Sequence, residues 1–293
     1  ADSPELKLSR LLREYSTLCR PTRGRGRLVF INLQKRLLSS IEAFHRTLQA
    51  HAEAVAKDGA AAPKAPSLFE QPPAALDAPP SNRSGSKPDD DDAWGEDDDQ
   101  RDEEEAAEVA AASRAVLSPE GRARLLLEEM LTLARQHRHR PDRKVQALLQ
   151  WVRRELLDGK QWKDRRVILF TEYGDTLRHL RKVLGEALED TSLADQRIAV
   201  FHGGMGDDAR AELQAAFNGE PDEHPVRILI ATDAAREGLN LQNHCADLFH
   251  LDIPWNPARM EQRNGRIDRT LQPSPEVRCH YFVYPEREED AVL

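Results

Sequence analysis

Apolar residues recur at spacings of three and four through residues 3–56. Leu28, Val29, Phe30, Ile31, Leu33, Leu37 and Leu38, followed by Ile41, Phe44 and Leu48, keep the helical period, so this stretch is expected to be helical. The period returns in Leu125, Leu126, Met130, Leu133 and Ala134, and again in Val145, Leu148, Leu149, Val152 and Leu156. Ser118-Pro119-Glu120 reads as a start signal for the first of these, and Asp142 as the cap of the second. From residue 165 the pattern changes. Short apolar runs at 167–170, 198–201, 228–231, 248–251 and 281–283 read as strands, with helical stretches at about 174–189, 207–218 and 258–269 between some of them. This alternation implies an α/β fold, a parallel sheet with helices on both faces. Crossovers should be right-handed, and ligands should gather at the carboxyl ends of the strands.

Residues 57–108 carry neither period. Pro63, Pro66, Pro72, Pro73, Pro79, Pro80 and Pro88 lie among Ala, Ser and Gly, and an acidic run follows. So little apolar surface does not offset the roughly 1–2 kcal/mol of backbone entropy lost per ordered residue, and a disordered insertion is expected. Residues 87–108 hold thirteen acids against Lys87 and Arg101, a local charge of −11 in a chain whose net charge is −9. The remainder therefore sums to +2, and the overall acidity excludes no nucleic-acid partner. Cys19, Cys245 and Cys279 are too few and too scattered for a disulfide framework or a thiolate metal site, and no metal ligands are assigned. A reducing, cytoplasmic setting is expected. No apolar run approaches the length of a membrane span, and no secretory signal opens the chain. The first residue is Ala1 rather than Met, and an excerpt of a longer polypeptide is expected.

The candidate chemistry follows the strand ends. Thr171-Glu172-Tyr173 leaves the first run, His202-Gly203-Gly204 the second, and residues 232–241 the third. Asp252-Ile253-Pro254-Trp255-Asn256-Pro257 leaves the fourth, and Glu261-Gln262-Arg263-Asn264-Gly265-Arg266-Ile267-Asp268-Arg269 comes next. As a helix, that last stretch puts Arg259, Gln262, Arg263, Arg266 and Arg269 on one face about 120° wide. Met260 and Ile267 flank the face and would anchor it on the sheet. A guanidinium fork matches phosphate oxygens bidentately, so the natural partner is a polyphosphate. Gly265 costs about 1 kcal/mol inside a helix relative to Ala, which points to something large approaching the backbone there. An arginine-rich solvated face is the alternative for the helix taken alone.

In order, these segments resemble the motifs of the second RecA-like lobe of superfamily-two helicases. The resemblance is closest to the Swi/Snf-type branch that includes bacterial RapA-like remodellers and the DISARM phage-defence ATPase. It covers about residues 142–285, and Leu33-Gln34-Lys35-Arg36-Leu37-Leu38-Ser39-Ser40 resembles the segment linking the two lobes. Three parts follow: a helical linker at 1–56, the insertion at 57–108, and the C-terminal RecA-like lobe with its leading helices at 109–293.

The resemblance implies roles. Arg266 and Arg269 match the arginines that reach an ATP held by the partner lobe, and Gln262 the residue that steadies their helix at the lobe interface. Gly238, Asn240 and the adjoining Glu237 fall where the family approaches the nucleotide, with Asn240 placed to meet a ribose hydroxyl. Thr171, His202, Gly203, Thr232 and Arg236 fall where nucleic-acid phosphates are held, contacts that position a strand without reading its bases. Blander readings stand beside these. Arg269 pairs instead with Asp268 or Asp252, His202 is a satisfied strand-end histidine, Trp255 packs against the arginine helix, and Arg210 braces the His202 loop.

Departures from the family also matter. Arg269-Thr270-Leu271-Gln272 lacks the Gly that the Swi/Snf pattern places before Gln, and Asp207 stands where RNA-helicase relatives carry Gln. There is no G-x-x-x-x-G-K-[ST] loop, and Asp102-Glu103-Glu104-Glu105 has no strand before it to make a magnesium motif. The expectation is therefore half of a composite site, with ATP and Mg2+ bound mainly by an N-terminal RecA-like lobe of the same polypeptide. The partner is DNA, double-stranded, in a bacterial, nucleoid-associated setting, and the fragment alone is inactive. Two alternatives stay open: a non-catalytic nucleic-acid-binding or assembly module, and a helicase unwinding RNA or single strands.

Overall fold

Each apolar run after residue 165 becomes a strand because the helices between them cover both sides. The computed structural model describes residues 3–19, 26–58, 96–114, 116, 119–233, 240–287 and 290. Helices α1 (Pro4–Leu18), α2 (Gly26–Ser39), α3 (Ile41–Asp58), α4 (Glu96–Ser113), α5 (Gly121–His137) and α6 (Arg143–Glu155) come first. A short antiparallel pair, β1 (Leu157–Asp158) and β2 (Gln161–Trp162), precedes the sheet. The sheet and its helices follow as β3 (Arg166–Thr171), α7 (Gly174–Leu188), β4 (Ile198–Phe201), α8 (Asp207–Asn218), β5 (Ile228–Thr232), β6 (Cys245–His250), α9 (Pro257–Asn264) and β7 (Arg278–Tyr281). Its strands are all parallel, in the order β4-β5-β3-β6-β7. This is a RecA-like α/β sheet, as the alternation implied.

Every residue of β3 and β5 is buried. Val167, Leu169, Ile228 and Ile230 pack with Leu148 and Val152 of α6 and Leu180 and Leu184 of α7. Their neighbours Ile168, Phe170, Leu229 and Ala231 turn the other way, onto Phe217 of α8 and Ile267. Strands β6 and β7 begin earlier than their apolar runs suggested. Parallel pairing of Asp247 with Arg278 and of Leu248 with Cys279 sets their extent, rather than hydrophobicity. β5 and β6 flank β3 on opposite sides, so the chain changes direction across β3, and the carboxyl ends of these strands form the crevice where this fold receives ligands.

Helices α1–α5 bury a separate core of Leu8, Tyr15, Val29, Leu33, Phe44, Leu48, Leu126 and Met130. Two expectations change here. The leading helix α5 packs with α1–α3 rather than on the sheet, so by packing the boundary placed at 109 falls after α5. Its N-cap is Glu120, whereas Ser118 lies outside the described residues. The acidic run, expected to be disordered through 108, is helical from Glu96. Its end supplies what the acidic part lacks: Val109 and Ala112 enter the helical core, and Glu105 Oε2 meets the buried Arg36 at 2.6 Å. Residues 59–95 lie outside the description.

The two cores meet where α2 ends. Lys144 sits buried in the first turn of α6, and its Nζ donates to Leu38 O (2.6 Å), Ser39 O (2.6 Å) and Leu251 O (2.8 Å). An ammonium at the carboxyl end of a helix is favoured by the helix dipole, and three carbonyls satisfy its three donors. Burial still pulls its pKa below the ordinary value. Among the described residues, no helix is long and apolar enough to cross a membrane.

Within the helical core a buried chain of hydrogen bonds holds α4. Ser113 Oγ donates to Val109 O, which leaves it to accept from His51 Nδ1 (2.7 Å), so His51 Nε2 accepts from Tyr15 Oη (2.7 Å). That arrangement needs a neutral ring, and burial lowers the His51 pKa to about 4. An unfolded chain would take up the proton near 6.5, so between those values the unfolded state binds more protons than the folded one. Stability should therefore fall as pH drops from about 6.5 to about 4, at up to roughly 1.4 kcal/mol per pH unit for this one group. Urea unfolding against pH reads this, and His51→Gln should flatten the slope; an unchanged slope contradicts the assignment.

Candidate functional site

The site is built around a short helix and a buried arginine. α9 starts where Asn256 Oδ1 accepts from Ala258 N (3.0 Å) with Pro257 at its first position, and it ends at Asn264. The single stripe of five polar residues expected through 269 is therefore broken. Gly265 is the C-cap, where Gly265 N donates to Glu261 O at 2.8 Å. A Cβ there would lie 3.3 Å from Glu261 O, so the glycine serves the helix's own tight ending rather than an approaching ligand.

Arg263 points inward and is 1% exposed. Its Nε donates to Asp233 Oδ1 (2.6 Å), while its Nη1 and Nη2 reach Asp252 O (2.9 Å) and Oδ1 (3.4 Å). Burial opposes the charge, but the carboxylates of Asp252 and Asp233 outweigh it, and the guanidinium pKa ends above its ordinary value. Asp252 is the hub. It also accepts from Thr171 Oγ1 (2.6 Å), Ser39 Oγ (2.7 Å) and Glu172 N (2.9 Å). This network joins the ends of β3, β5 and β6 to α2 and α9. Sequence reasoning missed Asp233, Ser39 and the hub role of Asp252. An acid directly after an apolar strand was the available signal, and both aspartates carry it. Glu172 lies beside them, its pKa raised mainly by burial and further by Asp252, and its Oε1 pairs with Arg259 at 3.2 Å.

Beyond Gly265 the chain loops back. Leu241 N donates to Arg266 O (3.1 Å), Arg269 Nε to Gly265 O (2.6 Å), and Arg269 Nη1 to Asn240 Oδ1. Arg266 is buried and Arg269 exposed, and the Arg266 pKa is lowered, first by burial and then by the Arg269 charge. Two guanidinium groups this close, with an amide oxygen between one of them and the next segment, are a donor set suited to a multiply charged anion. Arg269's bonds to described residues go to these uncharged oxygens, so it pairs with neither Asp268 nor Asp252. Arg263 is the arginine locked to carboxylates.

The structure thus brings Asn240, Arg266 and Arg269 together. Gln262 lies exposed on α9. Arg236, Glu237 and Gly238 lie outside the described residues. His202 and Gly203 are half-buried at the end of β4, and Arg210 does brace their loop by donating to Gly203 O. Two phosphate contacts need correction. The Thr171 side chain is buried with its hydroxyl committed to Asp252, and Thr232 is buried as well, so neither offers a hydroxyl at the surface. Trp255 is corrected too. It is 64% exposed beneath Lys35 Nζ, 5.5 Å from the ring centroid, rather than packed on α9.

Comparison with known proteins fits this geometry. Residues 144–270 match the family described as helicase conserved C-terminal domain. Over 109 residues the chain is 37% identical to the uncharacterized ATP-dependent helicase YqhH of Bacillus subtilis (strain 168), covering 37% of this chain and 17% of that protein. Over 145 residues it is 32% identical to the RNA polymerase-associated protein RapA of Sodalis glossinidius (strain morsitans), covering 50% of this chain and 14% of that one. A crystal structure of the C-terminal part of the Fun30 ATPase domain aligns with TM-score 0.43 and 20% identity over 59% of this chain and 57% of its own. The matched stretches span only 14–17% of the length of the two curated relatives.

If Arg263 positions α9, removing it strands two buried carboxylates. Arg263→Met should cost about 3–5 kcal/mol in chemical unfolding, whereas the exposed Arg269→Ala should stay within about 0.5 kcal/mol. Equal effects of the two would contradict this division of labour.

Proposed function

Residues 144–270 form the C-terminal lobe of a superfamily-two, Swi/Snf-type helicase, and from that premise we propose that the lobe serves ATP-driven translocation along double-stranded DNA. Arg266 and Arg269 complete an ATP site whose phosphate cradle and magnesium ligands belong to a preceding RecA-like lobe of the same polypeptide. The observation that carries this is the Asn240–Arg269 contact, set beside Arg266 at the end of a helix that Arg263 holds in place. Polyphosphate fits that donor set. Magnesium does not fit here: the strand-end carboxylates are committed to Arg263, Arg259 and hydroxyl groups, and among the described residues no group of three or more His, Cys, Asp or Glu is placed to hold a metal ion.

Bound ATP and Mg2+ supply a phosphoryl group whose oxygens gather charge as the bond to ADP breaks. In the closed lobe pair, Arg266 and Arg269 donate hydrogen bonds and positive charge to those oxygens, and Asn240 gives up Arg269 to meet the ribose. Water is the nucleophile, and the products are ADP and phosphate. DNA phosphates fall to the backbone at His202 and Gly203 and to Arg236. The hydroxyl of Thr171 holds Asp252 instead, so its part is to fix the strand ends that carry the grip. A bacterial cytoplasm, with the enzyme on the nucleoid, is the setting this reading supports.

The test uses the two-lobe protein. Arg266→Ala or Arg269→Ala should lower ATP turnover about 10³-fold or more and leave duplex DNA affinity unchanged; normal turnover refutes the assignment. Duplex DNA should stimulate turnover more than single-stranded DNA or RNA. The opposite order would favour an unwinding helicase. Residues 1–293 alone should show no turnover, and robust hydrolysis by them contradicts a composite site.

A further inference from the structure

Residues 269–272 fold into a tight turn in which Gln272 N donates to Arg269 O at 3.1 Å. Its third residue is Leu271, at a φ of +80°. A type II turn requires that conformation at this position, and glycine or asparagine supplies it; a residue with a branched side chain rarely does. The leucine side chain gains nothing visible in exchange, because it is 85% exposed, more than any other large apolar residue described.

The turn is nonetheless firmly held. Gln272 Nε2 donates to Ile267 O (2.7 Å) and Cys245 O (3.1 Å), and Gln242 Nε2 donates to Thr270 O (3.3 Å). Cys245 and Ile267 are both core residues. The turn is therefore a rigid mount, standing on the sheet, that carries a strained leucine into solvent two residues past Arg269. Strain of this kind persists where the surroundings enforce it, and its compensation lies outside this lobe.

We propose that Leu271 is a positioning contact for the nucleotide-holding lobe, seating in an apolar notch beside the ATP site when the lobes close and so setting how far Arg269 advances. This rests on the reading of Arg266 and Arg269 given above, because the same short loop carries all three. Its occupant is a surface of the same polypeptide and of apolar character. A charged or nucleic-acid surface would gain nothing from an isobutyl group. Leu271 touches no reacting atom in this scheme. It contributes by lowering the free energy of the closed state, which the unliganded lobe does not experience.

Three variants of the two-lobe protein separate strain from contact. Leu271→Gly and Leu271→Asn tolerate the positive φ but remove the apolar group, whereas Leu271→Met keeps the apolar group and the strain. Thermal unfolding, ATP-induced closure followed by energy transfer between lobe-specific dyes, and kcat/KM for ATP are measured for each. The Gly and Asn variants should raise Tm by about 2–4 °C and weaken closure and kcat/KM by about tenfold or more. The Met variant should match the parent in all three. A Gly variant that gains Tm but closes and turns over normally shows that Leu271 has no partner and overturns the proposal, as does one that gains no Tm. If Arg269→Ala keeps full turnover while Leu271→Gly closes poorly, the arginine assignment fails and the contact stands.

Discussion

A guanidinium buried between two carboxylates decides where the rest of this site sits. α9 is only eight residues long, and Arg263 is its one buried residue. Few apolar contacts hold it, so its orientation depends on Arg263 gripping Asp233 at the end of β5 and Asp252 at the end of β6. Desolvating three charges makes such a cluster a poor source of net stability, and its value lies in specifying one arrangement. That arrangement delivers the chain at Gly265 to the position where Arg266 and Arg269 turn back on Asn240. Ile267, buried beneath them, prevents the loop from swinging away.

The same cluster ties the helical core to the sheet. Ser39, at the last turn of α2, donates to Asp252 and exchanges a hydrogen bond with Thr176 on α7. Lys144 clamps the carbonyls of Leu38 and Ser39 to that of Leu251. One helix earlier in the chain thus shares an aspartate with the arginine that places the candidate fingers. Arg36, on that helix, stacks 4.1 Å from the Tyr173 ring and pairs with Glu105 of the acidic helix. Any motion of α2 relative to the sheet must break several buried, charge-assisted bonds at once. The strand ends and α2 are therefore expected to move as a unit.

The sheet was legible in the sequence because burial on both faces leaves runs such as Val167, Ile168, Leu169 and Phe170 with no polar interruption. The Asp142 cap was legible for a local reason: its side chain accepts from Val145 N three residues on. Arg263 was not. Arg259, Arg263, Arg266 and Arg269 look equivalent along the chain, and what distinguishes Arg263 is Asp233, thirty positions away and on another strand. The end of α9 was misjudged because a glycine in a helical pattern reads equally as an interior weakness or as a stop. The threonines at the ends of β3 and β5 were assigned outward by resemblance, yet Asp252, invisible as a partner until the strands are aligned, turns Thr171 inward. For α4 composition misled, since two buried apolar residues and one ion pair to Arg36 order a helix that its charge density argues against.

The account stands on two guanidinium groups leaving Asn240 for a phosphoryl group that another lobe presents. A structure of the two-lobe protein trapped with ADP, magnesium and aluminium fluoride tests that most directly. The account predicts Arg266 and Arg269 nitrogens within about 3 Å of the fluoride ligands, with Arg263 still between Asp233 and Asp252. Closed lobes in which Arg269 remains on Asn240, with both fingers away from the fluoride, would contradict it.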